Sequence, residues 1–317
     1  MEAGYRIIAI MMNPRPLAPV LIAGPTASGK SELALRLAER DGGVVVNADA
    51  SQLNACWRLL SARPDDADLA RAPHRLFGHV AADRRYSAGD WRREALAAIA
   101  VAQRGGLRPI VVGGTGLYFA ALLDGLAEIP PIPPEVRGRS EALLGDGAAG
   151  IAAMRADLAR DDPETLAGLD AANPMRLQRA WDVLTATGHG LAWWHAQAPT
   201  PGIAAAARIV VMPETTALDR NIRRRLDAMV AGGVLDEVRA FLALGLPPDL
   251  PAARAIGAAD FARHLRGEAS LDAALASAAI ATRQFAKRQR TWLRGRMADW
   301  AWADPATSDL LALLPRP

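Results

Sequence analysis

A lysine and a hydroxyl that close a glycine-bounded loop, and a carboxylate further along, are the residues best equipped to do chemistry. The loop is Gly24-Pro25-Thr26-Ala27-Ser28-Gly29-Lys30-Ser31, which fills the pattern G-x-x-x-x-G-K-[ST] at every fixed position. Gly24 and Gly29 permit a backbone that turns its amide N–H groups inward, and a helix starting there adds its positive dipole end. Lys30 is suited to reach terminal phosphate oxygens, and Ser31 to ligate Mg2+. The chemistry is therefore that of a phosphate ester or a diphosphate, with the reaction left open. The carboxylate is Asp49, in Asn47-Ala48-Asp49-Ala50-Ser51-Gln52 after the run Val44-Val45-Val46. Beyond the carboxyl end of a parallel strand it would face the phosphate loop as a catalytic group. An aspartate there is equally a helix N-cap, and both readings stand.

The elements that must position these groups are legible around them. Pro19 to Ala23 is a short apolar run with the look of a buried strand, and Glu32 to Arg40 reads as a helix. A helix capped by Ser87 or Asp90 runs through Trp91, Leu96, Ile99 and Val101 to Gly105-Gly106. Pro109 to Val112 is a third buried strand. It leads into Gly113-Gly114-Thr115-Gly116-Leu117-Tyr118, a second glycine turn at the same sheet edge. Pro130-Pro131-Ile132-Pro133-Pro134 breaks regular structure. After it, Val136–Leu144, Ile151–Arg160, Pro163–Leu169 and Arg176–Thr187 read as helices only. Strand character returns at Ala207 to Met212, followed by a basic helix through Arg220 and Arg225 to Met229. The expected organisation is a leader over residues 1–18 and a core over 19–130. A helical insertion over 131–200, the rest of the core over 201–300 and a tail over 301–317 complete it. The fold class is α/β, a P-loop NTPase-like parallel sheet flanked by helices, with an all-helical insertion.

Composition excludes several alternatives. The chain of 317 residues is 51% hydrophobic and 22% charged, which suits a globular protein with a substantial core. Cys56 is the only cysteine, so no intrachain disulfide forms and a reducing compartment is expected. The apolar residues among Met1 to Met12 make too short a run to span a bilayer. The five histidines do not combine with Cys56 into zinc-ligand spacing, and no G-x-S-x-G elbow supports a serine hydrolase. Net charge is only +3, so placement matters more than the sum. Arg283, Lys287, Arg288, Arg290, Arg294 and Arg296 crowd one segment, interleaved with Phe285 and Trp292. No acidic residue occurs between Asp272 and Asp299. Such a helix can track a nucleic-acid backbone. A small-molecule kinase and a non-catalytic RNA-binding protein are the alternatives that the residues leave open.

In their order along the chain, these motifs resemble the tRNA dimethylallyltransferase (tRNA isopentenyltransferase, IPP transferase) family. The match rests on Gly24–Ser31, Asn47-Ala48-Asp49 with Gln52, Pro73-His74-Arg75-Leu76, Tyr86-Ser87, Gly113–Tyr118, Arg176–Ala180, Ile256-Gly257 and Ala281–Gln289 with Thr291–Arg294. The resemblance implies transfer of the five-carbon allyl group of dimethylallyl diphosphate to the exocyclic amine of the tRNA adenosine just 3′ of the anticodon. It implies Asp49 as general base, with Thr26 beside it in the loop and Arg225 joining Lys30 and Ser31 at the diphosphate and Mg2+. It also implies tRNA contacts at Asp49, Gln52, Thr115, Arg137, Met175, Arg176, Leu177, Gln178 and Arg179. Further contacts follow at Arg254, Ile256, Gly257, Lys287, Arg288, Gln289, Arg290, Thr291, Trp292 and Arg294. The implied partner is the tRNA anticodon stem-loop. A cytoplasmic, membrane-free monomer is expected. The sequence departs from the family's usual residues at Ala50, Asn54, Arg63, Asn221 and Ala258.

Overall fold

Apolar runs too short for helices, each followed by a glycine or polar turn, become the strands of one parallel sheet. The computed structural model describes residues 17–170, 173–197, 202–203 and 207–316, so the expected leader lies almost wholly outside the described residues. The chain divides into two units, residues 1–122 with 203–317 and residues 123–202.

In the first unit, strands β1 (Val20–Ala23), β2 (Gly43–Asn47), β3 (His74–Arg75) and β4 (Arg108–Gly113) alternate with helices α1 (Lys30–Asp41), α2 (Asp66–Arg71) and α3 (Ala88–Arg104). Helix α4 (Gly116–Leu123) follows β4. β1, β2 and β4 are buried along their whole length, as expected of strands covered on both faces. Ser87 caps α3 in a capping box with Asp90. Within the second unit, α5 (Pro134–Gly145), α6 (Ala148–Asp161), α7 (Pro163–Gly168), α8 (Pro174–Thr187) and α9 (Leu191–Ala196) close around Met154, Leu158, Leu177 and Trp181. The chain then returns to the first unit with β5 (Ala207–Val211). Helices α10 (Thr215–Ala231), α11 (Val234–Ala243), α12 (Ala258–Leu265) and α13 (Leu271–Arg296) and strand β6 (Ala301–Ala303) follow.

The sheet order is β3-β2-β4-β1-β5-β6 with every pairing parallel. β4 therefore lies between β1 and β2, and its glycine turn sits between the phosphate loop and Asp49. One expectation is corrected here. The segment 301–317 is no tail, because Ala301–Ala303 pairs with β5, and Leu310 and Leu314 enter the core beside α1. Arg40 and Arg108 fasten it further by donating to the carbonyls of Leu311 and Pro315. His74–Arg75 forms a strand that its two-residue length hid in the sequence. α10 to α13 build a second core around Trp57, whose indole N–H donates to the Ala252 carbonyl at 2.8 Å.

Candidate active site

The loop Gly24–Ser31 joins β1 to α1, and its backbone takes the geometry of an anion cradle. Ala27 and Gly29 both adopt left-handed φ, 62° and 87°. Such a conformation at alanine is costly and persists where the surroundings hold it. Three side chains from distant elements do so. Gln289 on α13 accepts from the Thr26 N–H at 2.9 Å and donates to the Gly114 carbonyl at 2.9 Å, tying the two glycine turns together. Arg225 on α10 donates to Thr26 Oγ1 at 2.9 Å and to the Ser61 carbonyl at 3.0 Å. Asn221, one turn earlier, donates to the Ala27 carbonyl at 3.1 Å. Inside the loop the Ser28 hydroxyl is buried with no partner, an orphaned donor that an anion would satisfy. Lys30 is buried and donates to the Pro25 carbonyl at 3.1 Å. Burial lowers its pKa to about 8, against the pull of the Asp49 charge and with the help of Arg225. Arg225 is lowered as well, by burial first, with Asp49 opposing.

Asp49 therefore acts on both cations, and its own position is built from β2 and β4. Gly113 permits the close approach of these strands, since a Cβ there would come within 2.0 Å of the Ala48 carbonyl. The Ala48 N–H donates to Val112, and the Thr115 N–H donates back to Ala48. Thr115 Oγ1 accepts from the Ala50 N–H at 2.8 Å. Asn47 accepts from the Asp49 N–H and donates to the carbonyls of Asp49 and Leu76. Asp49 is 5% exposed. Its Oδ1 accepts from the Ser51 N–H at 3.0 Å and the Ser51 hydroxyl at 2.6 Å. Asp49 is thus an N-cap, of the 3-10 turn Ala50–Gln52. Both bonds fall on one oxygen, which leaves Oδ2 for a proton from a ligand.

Two cavities meet at this point. One, of about 50 Å³, has Thr26, Ser51 and Arg225 at its polar end and Leu60, Ile222, Leu226, Met229, Ile256 and Phe285 along its walls. The other, of about 470 Å³, is lined by Ala50, Ser51, Asn54, the Gly114–Gly116 turn, Arg254, Ile256, Arg288 and Trp292. Ser51 and Ile256 belong to both. The first suits a short apolar chain with an anionic head. The second, with an indole and two guanidiniums in its wall, suits a flat heteroaromatic ring attached to a phosphate backbone.

Most expected site residues of the core unit gather here, with several changes of role. Thr26, Lys30, Asp49 and Arg225 form one cluster. Ser31 is exposed at the first turn of α1. Arg254, Ile256, Arg288 and Trp292 line the wider cavity, and Lys287, Thr291 and Arg294 are exposed on α13. Gln52 donates to the carbonyls of Ser61 and Ala62, so its amide shapes the 57–63 loop. Gly257 is buried as the left-handed cap of α12. The Arg290 Nε is buried. Gln289 is only 6% exposed with both amide groups engaged, and so serves as an internal clamp rather than a surface contact. In the helical unit, Met175 and Arg176 are exposed and Arg179 is half-buried. Leu177 and Gln178 are core residues at 1% and 2% exposure, so their side chains face the interior of the helical unit. Arg137 pairs at 2.6 Å with the fully buried Asp182. Ser61 and the wall residues Leu60, Ile222, Leu226 and Met229 were not expected at the site from the sequence. Among them only Ile222, Leu226 and Met229 carry a signal, an apolar stripe at helical spacing.

The sequence profile of the IPP transferase family matches residues 52–296. A tRNA dimethylallyltransferase of Cereibacter sphaeroides is 57% identical over 284 residues, 89% of this chain and 87% of the relative. One of Dinoroseobacter shibae is 54% identical, over 92% of this chain and 96% of the relative. Among solved structures, a full-length tRNA isopentenylpyrophosphate transferase from Bacillus halodurans superposes with a TM-score of 0.64. It is 28% identical, with 90% of this chain and 89% of that one covered. A eukaryotic dimethylallyltransferase acting on tRNA reaches a TM-score of 0.78 at 23% identity, with 91% and 74% covered, and bears on the fold alone.

Proposed function

The chain belongs to the IPP transferase family, and from that premise we propose a role for each group in the site. The protein is a tRNA dimethylallyltransferase, a prenyltransferase that moves a dimethylallyl group onto tRNA. The observation that supports the assignment of roles is the junction at Ser51, which lines both a cation-headed apolar cavity and a wide basic and aromatic one and donates its hydroxyl to Asp49. The substrate is dimethylallyl diphosphate, with its diphosphate in the loop Gly24–Ser31 and its chain along Ile222 and Leu226. The acceptor is the exocyclic amine of the adenosine 3′ to the anticodon, entering past Arg288 and Trp292.

An adenine amine is a poor nucleophile because its lone pair is delocalised into the ring. As the nitrogen–carbon bond forms, Asp49 takes the amine proton on its free oxygen. The carbon–oxygen bond breaks, and its electron pair leaves with the diphosphate. Lys30, Arg225 and the loop amides meet the charge that grows there. Ser31 is the residue that would hold Mg2+. Among the described residues no three His, Cys, Asp or Glu cluster as ligands, which suits an ion bound chiefly by phosphate oxygens and water. When bound, Mg2+ neutralises charge on the leaving diphosphate. Among the described residues no helix is long and apolar enough to cross a membrane; action on tRNA in the cytoplasm, as a monomer, is part of the same proposal.

The reading is tested by supplying carbon-labelled dimethylallyl diphosphate, Mg2+ and an unmodified tRNA. Label is expected in the adenosine 3′ to the anticodon and absent when another base stands there. Folded protein that incorporates nothing overturns the proposal. The exposed arginines of α13 are assigned to the RNA backbone, so R288A and R294A are expected to weaken tRNA binding. Each should lower the slope of log K against log salt by about 0.7–0.9. Binding isotherms across a salt series check this, and an unchanged slope removes those residues from the interface.

A further inference from the structure

The apolar cavity is lined from two helices that are both anchored at the phosphate loop. On α10, Arg225 grips Thr26, and Met229 stands one turn further on, about 6 Å along the axis. On α13, Gln289 grips the Thr26 N–H, and Thr282 lies seven residues before it, about 10 Å along the axis. Both Met229 and Thr282 line the cavity, with Leu60 and Leu226 beside them. Met229 is 7% exposed and Leu60 6%, and Thr282 is half-buried. Thr282 turns its hydroxyl to the Ala278 carbonyl at 2.7 Å, which leaves its methyl group for the cavity.

We propose that Met229, with Thr282 opposite, is the ruler that restricts the enzyme to a five-carbon allylic diphosphate. The inference rests on the assignment of this cavity to the allyl chain. The branched five-carbon unit spans three carbon–carbon bonds and the carbon–oxygen bond to its diphosphate, about 5 Å at bond lengths near 1.5 Å, which matches one helical turn from Arg225 to Met229. A ten-carbon chain with its diphosphate in the same loop needs about 5 Å more and meets the Met229 side chain. A thioether side chain is long and unbranched, so its truncation lengthens the cavity without disturbing Arg225.

The test compares dimethylallyl and geranyl diphosphate as donors to one tRNA, for the wild-type protein, M229A and T282A. The wild type is expected to transfer the five-carbon group and to discriminate strongly against the ten-carbon one. M229A is expected to shift the ratio of kcat/KM values toward geranyl diphosphate by at least about tenfold, the lower end for filling or emptying apolar space. T282A is expected to shift it in the same direction by less. Retained dimethylallyl transfer reports that each variant is folded. Two results overturn the proposal: wild-type protein that transfers both groups with comparable kcat/KM, or a ratio unmoved in the variants that keep dimethylallyl transfer. If the wild type transfers neither group, the assignment of the reaction fails instead.

Discussion

D49N and D49A are expected to lose about 10²–10⁴-fold in kcat for allyl transfer, the range for a positioned general base, while binding of dimethylallyl diphosphate changes little. The asparagine variant is the sharper of the two. Its amide oxygen still accepts from the Ser51 N–H and hydroxyl, the bonds that Asp49 Oδ1 now receives, so the 3-10 turn and the shared cavity wall persist. What it lacks is an oxygen able to take a proton from the adenine amine. The loop that holds the diphosphate is fastened by Gln289, Arg225 and Asn221, none of which bonds to Asp49. Single-turnover rates with calorimetric binding of the diphosphate separate the two effects. A variant with near-normal kcat removes Asp49 from the role of base. One that loses diphosphate binding to the same degree as turnover makes it a structural residue.

Lys30 gives the second large effect. K30A is expected to lower kcat/KM by about 10²–10³-fold, the range for deleting one donor to a developing anion. The native lysine also sets a pH dependence. Burial lowers its pKa to about 8, outweighing the Asp49 charge, so the free protein carries the ammonium below that pH and loses it above. Since the charged form binds the diphosphate, kcat/KM is expected to fall as pH rises through about 8. The bound diphosphate restores the proton, so kcat should hold level to higher pH. K30R keeps its charge throughout that range, and its residual kcat/KM should lack the inflection. A wild-type profile flat through pH 8 contradicts this account of Lys30.

The sheet's central strands and the phosphate loop were legible because each rests on short-range chemistry. Val44 to Val46 can be little other than a buried strand, and a glycine loop with lysine and serine at its end has few other uses. Asp49 was legible as a candidate but not as a resolved one, since capping and catalysis ask for the same residue in the same place. The structure shows the cap and spends only one carboxylate oxygen on it, which leaves the other for the proposed base. What stayed hidden depends on long-range pairing. Gln289 lies 263 residues from Thr26, and nothing local distinguishes its buried amide from those of its exposed neighbours on a basic helix. Leu177 and Gln178 were grouped with the arginines that flank them, although helical spacing turns them into the core of α8. Met229 belongs to an apolar stripe that reads as ordinary packing, and only its place beside Arg225 brings part of it to the cavity at the phosphate loop. The segment 301–317 has too short a strand to announce itself, and β5 supplies the edge that recruits it.

The same loop in a kinase would hold a phosphate in transit, whereas in the proposed reaction it holds a leaving group. The account therefore turns on which atoms move. Dimethylallyl diphosphate labelled with one isotope in its carbon chain and another in its terminal phosphate decides this in one reaction with tRNA. The carbon label is expected in the tRNA and the phosphorus label in free diphosphate, in equal amounts. Phosphorus label in the tRNA, or carbon label remaining in solution, would contradict it.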